Sequence, residues 1–599
     1  METNKNTKVT YEEIANGIND EYGCIYSPDV KRLLEGNKEI TSYTIKEGTE
    51  VICNNAFSWC QSLQSIVIPD SVTKIGGWAF WGCSSLKSIV IPESVTEIGN
   101  VSFPLGKEII SHSNRFVVED DLLIDLKEKR LIQCLKNKKH VDIPNSVTSI
   151  GDKAFWDCSS LKSIVIPDSV TEIGDDAFRW CTSLQSIVIP EAVTKIGNGA
   201  FNNCKSLQSI VIPESVTSIG DWAFSSCDSL QSIVIPDSVT KIGESAFSWC
   251  TSLQSIVIPE AVTSIGDKAF WVCSSLKSIV IPDSVTEIGV KPFDLGIELI
   301  SHSNRFVVED DLLIDLEEKR LIQCLKNKKH VDIPDSVTEI GGWAFWGGWD
   351  FSVCSSLKSI VIPEAVTKIG DCAFRSCDSL QSIVIPDSVT SIGDSAFSHC
   401  ASLQSIVIPQ SVTEIGNGAF PLGIELISHS NRFVVEDDLL IDLKEKRLIQ
   451  CVKDKDTIVI HNSVTSIGDK AFSWCKSLQS IVIPDSVTKI GNEAFKDCDS
   501  LQSIVIPDSV TKIGNDAFES CDSLQSIVIP NSVTSIGDGA FSVCSSLKSI
   551  VIPDSVTEIG NGAFSGCESL QSIVIPKGTK EQFENVLEKE YHHLLKEME

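Results

Sequence analysis

The chain is poor in several things a 599-residue protein usually carries. It has only 2 Met, 5 Tyr and 9 His, and its 50 Lys and Arg are outnumbered by 81 Asp and Glu, a formal charge of -31. Nucleic acid and anionic membranes recruit basic residues to displace counterions, so this deficit argues against both as partners. No run of about 20 apolar residues occurs, which excludes an apolar transmembrane helix. The opening METNKNTKVTYEEIANG lacks the charged-then-apolar pattern of a secretory signal, so the default expectation is cytoplasmic. The CxxC, GxGxxG and GxxxxGK patterns are missing too, which removes zinc knuckles and phosphate-cradling loops from consideration. No cofactor or metal is expected.

What is present is repetition. The phrase Leu63-Gln-Ser-Ile66-Val-Ile68-Pro69-Asp-Ser-Val72-Thr-Lys-Ile75-Gly76-Gly-Trp-Ala79-Phe80-Trp-Gly-Cys83 returns with a 23-residue period, from a weak copy at Ile40 to a last full copy at Leu570. Three interruptions fall into register when irregular copies start at Ile109, Leu299 and Leu426, each followed by another 29 residues later at Lys138, Lys328 and Lys455. A sustained period of this size signals a solenoid, in which no single coil buries its apolar face alone. Within the unit, Leu63, Ile66 and Ile68 point inward from a short β-branched strand that Pro69 terminates. Val72 and Ile75 form a second inward pair and Gly76 reads as a turn residue. Ala79, Phe80 and Cys83 then share one side of a short helical turn. Stacked at about 4.8 Å, 23 coils would extend on the order of 110 Å.

The pattern LxxIxIPxSVTxIGxxAFxxC resembles the BspA-like, or treponemal-class, leucine-rich repeats. The resemblance implies a β-rich α/β solenoid, a right-handed superhelix with a parallel concave sheet, and a role in microbial surface proteins that adhere to host matrix proteins or to other microbes. On this reading residues 1–39 are an N-terminal cap, 40–577 the solenoid, and 578–599 a C-terminal capping helix. If the family role holds, the location is the cell surface. The other reading is an intracellular interaction or structural repeat protein without host contact.

The three long coils, near 109–137, 299–327 and 426–454, share the phrase SHSNRFVVEDDLLIDLKEKRLIQC, with LEEK in the second. It predicts a protruding hairpin, with Leu122–Ile124 and Leu131–Gln133 joined by the charged turn 125–130. A divergent version is expected at 24–36. Residues 347–353 form an insertion between Phe345 and Cys354. Thr579 and Gln582 suggest a capping box on an amphipathic helix carrying Phe583, Leu587, Tyr591, Leu594 and Met598 on one face, and Thr10 with Glu13 suggests a similar N-terminal cap.

Most of the 22 cysteines occupy the Cys83 position of the unit. Neighbours in such a ladder are badly placed for disulfides and read as buried thiols, as do Cys134, Cys324 and Cys451; Cys24, Cys53 and Cys372 fit no ladder and are the candidates for reactive or paired thiols. His112, His302 and His429 read as polar surface residues. Ser, His and Asp recur mostly as rungs, so no nucleophile with its base is expected and the chain reads as a non-enzyme. The acidic residues after each strand proline, Asp70, Glu93 and Asp168 among them, read as a solvated stripe.

Binding is left to the surface. The outward strand positions, Ser65 and Val67 with Gln64 or Lys87 beside them, repeat almost unchanged and make a poor code. They suit a repetitive ligand or self-association through the concave face or the solenoid ends. The two residues after the core Phe vary, and they hold Trp59, Trp81, Trp156, Arg179, Trp180, Trp249, Trp271, Trp346 and Trp474, interleaved with Asn202, Arg375 and His399. Trp and Arg are the types most enriched at binding hot spots. These rings either form a ridge for a protein partner of unknown identity or pack over the neighbouring coil, and the sequence leaves both open.

Overall fold

The computed structural model describes residues 6–10, 13–14, 16–346 and 354–598. The insertion at 347–353 lies outside the described residues. The chain divides into two compact units, 1–308 and 309–599, and each is a solenoid of stacked parallel strands.

The coil from 207 to 229 shows how the repeat folds. Strand Ser209–Val211 turns Ile210 inward and leaves Ser209 and Val211 exposed, and strand Ser218–Ile219 buries Ile219 in the same way. Each pairs with its counterpart 23 residues away, as in Ser218↔Lys241 and Ile219↔Ile242. The short second strands build the longer sheets: in the first unit one sheet runs unbroken from Ser149–Ile150 to Glu287–Ile288. Leu63, Ile66, Ile68, Val72, Ile75, Phe80 and Cys83 are all buried.

The segment expected to be a short helical turn is not helical. Trp222, Phe224 and Ser226 donate their amides to the next coil, at Glu244 O, Ala246 O and Ser248 O, over 2.7–2.8 Å. Ala223, Ser225 and Cys227 instead donate three residues back within their own turn. The alternation requires left-handed backbone at Trp222 and Ser226, with φ of 53° and 58°. The reason is spacing: packed helices need 8–10 Å between axes, whereas strands set the coils about 4.8 Å apart. A ladder fits that spacing and a helix does not. Down its centre the phenylalanines stack, Phe201, Phe224 and Phe247 with centroids 5.4 Å apart and planes within 7°.

Small polar residues staple the coils. Ser238 Oγ donates to Val216 O at 2.6 Å, and Thr240 Oγ1 to Thr217 O at 3.3 Å. Asp221 Oδ1 accepts the Glu244 amide, while the Asp221 amide itself donates to Asn198 Oδ1, both at 2.8 Å. This last ladder explains the glycine before it, which the sequence suggests is a turn residue. A Cβ at Gly243 would lie 2.5 Å from Asp221 Oδ1 and 2.6 Å from its amide nitrogen, so the position is kept bare by close approach of the preceding coil.

The predicted hairpins are three-stranded meanders built into the wall and do not protrude. Phe116–Glu119, Leu122–Asp125 and Arg130–Cys134 are antiparallel neighbours, and the last pairs in parallel with Ser149–Ile150. Leu122, Leu123, Ile124 and Leu131 are fully buried, because these strands take rungs in the second-strand sheet and carry apolar residues on both faces. The turn residue Asp125 is buried as well, gripped by Arg115 Nε and Nη2 at 2.9 and 2.7 Å and by the Lys127 and Glu128 amides. Burial works against its charge, but the Arg115 and amide hydrogen bonds outweigh it and hold the carboxyl below its ordinary range. Gln133 bridges the interrupted Phe ladder: its Nε2 donates to Phe103 O at 2.7 Å and its Oε1 accepts the Phe103 amide. Arg432–Asp442 and Gln450–Phe420 repeat the arrangement in the second unit.

At the N-terminus Thr10 and Glu13 exchange amide-to-side-chain hydrogen bonds, and Glu13 pairs with Arg32. Ile25–Tyr26 and Arg32–Glu35 run antiparallel. The C-terminus departs from the expected long helix. Helix Lys580–Val586 is followed by a 3₁₀ segment, Lys589–Leu594, and a strand, Leu595–Glu597, that pairs with Ser572–Ile575. The Thr579 hydroxyl turns back to Pro576 O and Gln582 reaches Asp554 O and Val556 O, so no capping box forms. Closing an open strand edge outweighs prolonging a short helix. Phe583 and Leu587 are buried, while Met598 is exposed.

Candidate binding surface

Two surfaces face solvent in a repeating way. The first-strand face presents serine and valine in alternation with buried isoleucine, and its valines stand well clear, Val188 at 72% and Val234 at 77% exposure. Beside it runs the row of exposed acidic residues after the prolines, Asp168 to Asp283 in one stretch of the first unit.

The second surface is the turn face, and here position along the turn sorts the tryptophans. The residue two after the core Phe has positive φ, as at Trp59 (61°), Trp180 (65°), Trp249 (62°) and Trp474 (68°). All four of these rings are exposed. One residue after Phe, Trp81, Trp156, Trp271 and Trp346 are half-buried. A third set, Trp78, Trp222 and Trp343, precedes the core Ala and also has positive φ, of 60°, 53° and 62°; Trp222 is exposed and the others half-buried. Sequence reasoning passed over this set, although the position before Ala varies as freely as the two after Phe.

Packing and exposure therefore coexist along the ridge. Trp81 and Trp156 both meet Trp78 edge-on, at 5.3 and 5.6 Å. Lys153 lies over Trp78 and Trp156, and Arg179 over Trp156 at 4.9 Å while pairing with Asp176 at 3.2 Å. Trp249 meets Trp271 edge-on at 5.6 Å, with Lys291 over Trp271. Trp346 packs on Trp343 at 4.6 Å, and Trp474 on His399 at 6.0 Å. Trp59 rests against the backbone of Gly82 yet keeps 58% of its surface exposed. Of the interleaved polar positions, Arg375 is half-buried and Asn202 buried.

Every cysteine is a free thiol, and all but Cys567 are buried. The ladder thiols donate to the preceding coil's Phe carbonyl, as Cys250 Sγ does to Phe224 O at 3.2 Å. Cys24, Cys53 and Cys372, expected to stand apart as reactive or paired, are buried too, Cys24 and Cys53 among apolar residues of the first coils. Burial pushes Cys53 up to about 11 and Cys60 up to about 12, away from the thiolate. Treatment of the folded protein with a membrane-impermeant maleimide should thus modify Cys567 first and few others; modification of most of the 22 would show that the coils are not in this register.

Among the described residues no group of three or more His, Cys, Asp or Glu is placed to hold a metal ion, and no helix is long and apolar enough to cross a membrane.

The family described as BspA type leucine rich repeat region (6 copies) matches residues 33–114, 126–250, 171–299, 347–431 and 451–591. Among solved structures, the chain is similar to a leucine rich cell surface protein from Faecalibacterium prausnitzii A2-165, at 25% identity over 79% of this chain and 98% of that one, with a TM-score of 0.36. It is similar to a leucine-rich repeat protein from Bacteroides ovatus, at 27% identity over 81% and 97% with a TM-score of 0.28. It is also similar to the T. pallidum leucine rich repeat protein, at 34% identity over 30% and 85% with a TM-score of 0.27. No curated protein matches the chain.

Proposed function

The chain belongs to the BspA type leucine rich repeat family, and from that premise we infer that it is a protein-binding scaffold whose partner meets the turn face at the exposed tryptophans. The observation that carries this reading is the exposure of Trp59, Trp180, Trp249 and Trp474, large rigid rings at one fixed position of the coil, two residues after the core Phe. An indole loses little conformational entropy on contact and contributes a wide desolvated area, which is why it dominates hot spots. The half-buried Trp81, Trp156, Arg179, Trp271 and Trp346 widen that face, and Trp271 packs edge-on against the outward Trp249. The finer role is adhesion at the microbial surface to host matrix proteins, carried over from the family.

Binding to immobilised matrix proteins tests it. Trp59→Ala and Trp249→Ala should each weaken capture by about 2 kcal/mol, near 30-fold in Kd for either alone, and leave the melting curve close to its starting point. A large stability loss with unchanged capture would assign both rings to packing. Surface proteolysis of intact cells separates the adhesin from an internal scaffold, since a chain left untouched is not on the surface.

A further inference from the structure

The first-strand face carries one arrangement that the repeat alone does not produce. Directly after the first meander, strand His140–Asp142 replaces the usual Ser-Ile-Val with His-Val-Asp, and it pairs in parallel with Ser163–Val165 in the register His140↔Ser163. Strand alternation puts His140 and Asp142 on the same outward face. There, His140 Nδ1 lies 2.8 Å from Ser163 Oγ, and His140 Nε2 lies 3.1 Å from Asp142 Oδ1. After the second meander the same contacts recur: His330 Nδ1 to Ser359 Oγ at 2.8 Å and His330 Nε2 to Asp332 Oδ1 at 3.1 Å. The third meander is followed by Thr457-Ile458-Val459, which has neither group, and its Ser480 hydroxyl donates only to Thr457 Oγ1 at 3.4 Å.

The serine contact fits one tautomer. With the proton on Nε2, the side nearer the Asp142 carboxylate, Nδ1 keeps its lone pair toward the serine hydroxyl. That is the protonation a general base needs. We propose that Ser163 and Ser359 are activated nucleophiles toward activated carboxylic esters, with His140 and His330 as their bases and Asp142 and Asp332 as positioning residues. In the first step Ser163 Oγ bonds to the ester carbonyl carbon while its proton passes to His140 Nδ1. The bond to the alkoxide leaving group then breaks as His140 returns that proton to it. Water next attacks the acyl-serine, with its proton taken by the same nitrogen, which frees the acid and restores Ser163. The open sheet face gives the leaving group no enclosing wall, so reactivity is expected with small, already activated acyl groups.

A fluorophosphonate reports the first half-reaction alone: the Oγ–P bond forms, the P–F bond breaks, fluoride leaves and the hydroxyl proton goes to Nδ1. Incubating the full chain with such a probe and mapping the adducts by peptide mass spectrometry should find Ser163 and Ser359 labelled on the order of 10²-fold faster than Ser480, the internal control without a base. His140→Gln should abolish the advantage at Ser163 while Ser359 keeps its own. Asp142→Asn should slow Ser163 alone, and Asp142→Glu should restore part of the rate, which a merely structural role would not do. The same two serines should be acetylated by p-nitrophenyl acetate. Labelling at Ser163 that persists in His140→Gln, adducts spread evenly over the strand serines, or none above the level of Ser480 would each overturn the proposal.

Discussion

Replacing Phe224 by Ala is expected to lower stability by about 3–5 kcal/mol. The ring is fully buried between Phe201 and Phe247, and both neighbours are held at fixed height by their own amide bonds to adjacent coils. They cannot slide in to fill the gap without breaking those bonds, so the cavity stays open and the loss falls at the upper end for the chemistry. The backbone bond from Phe224 N to Ala246 O is untouched by the change, which isolates the side chain as the cause. Denaturant unfolding of the full chain, with limited proteolysis to locate the first site of cleavage, measures it. A midpoint equal to the unmodified protein's would contradict inward placement of the ladder.

The second large effect comes from adding an atom. Gly243→Ala should cost about 1–3 kcal/mol, because the new methyl meets the backbone of the preceding coil and a side-chain acceptor already in use. Asp221 Oδ1 would have to move and release the Glu244 amide. Amide exchange at Glu244 should then accelerate together with the loss of stability. Protection unchanged at that amide would mean that the coils have room between them after all.

The inward positions were legible because apolar residues recurred at one spacing in every copy; Leu63, Ile66, Ile68, Val72, Ile75 and Phe80 lie where the periodicity puts them. What escaped was whatever depends on the neighbour above or below. A turn such as 221–226 looks helical when read alone, and only stacking at strand spacing turns its amides to the next coil. The strand Phe116–Glu119 went unseen because its apolar residues precede the charged turn on which the hairpin reading was centred. The tryptophans offered no sequence cue to separate outward from half-buried rings beyond their distance from Phe, and even at one distance, two before it, Trp222 is exposed while Trp78 and Trp343 are not. His140, Asp142 and Ser163 are two and 23 residues apart, and they become one group only when the strands pair.

The hydroxyl and thiol staples described above reach one coil back, the Asp and Asn side chains accept an amide from one coil on, and each binds the same kind of atom whichever copy supplies it. An end of one 23-residue segment therefore fits the start of any regular segment equally well. Excising or duplicating such a segment in frame reseals the stack without a new kind of joint, so the length of each run between meanders is free to drift while its cross-section is held constant. Genes built this way can change run length by recombination between copies, and the meanders, whose joints differ from those of the regular coils, fix where a run must start and stop.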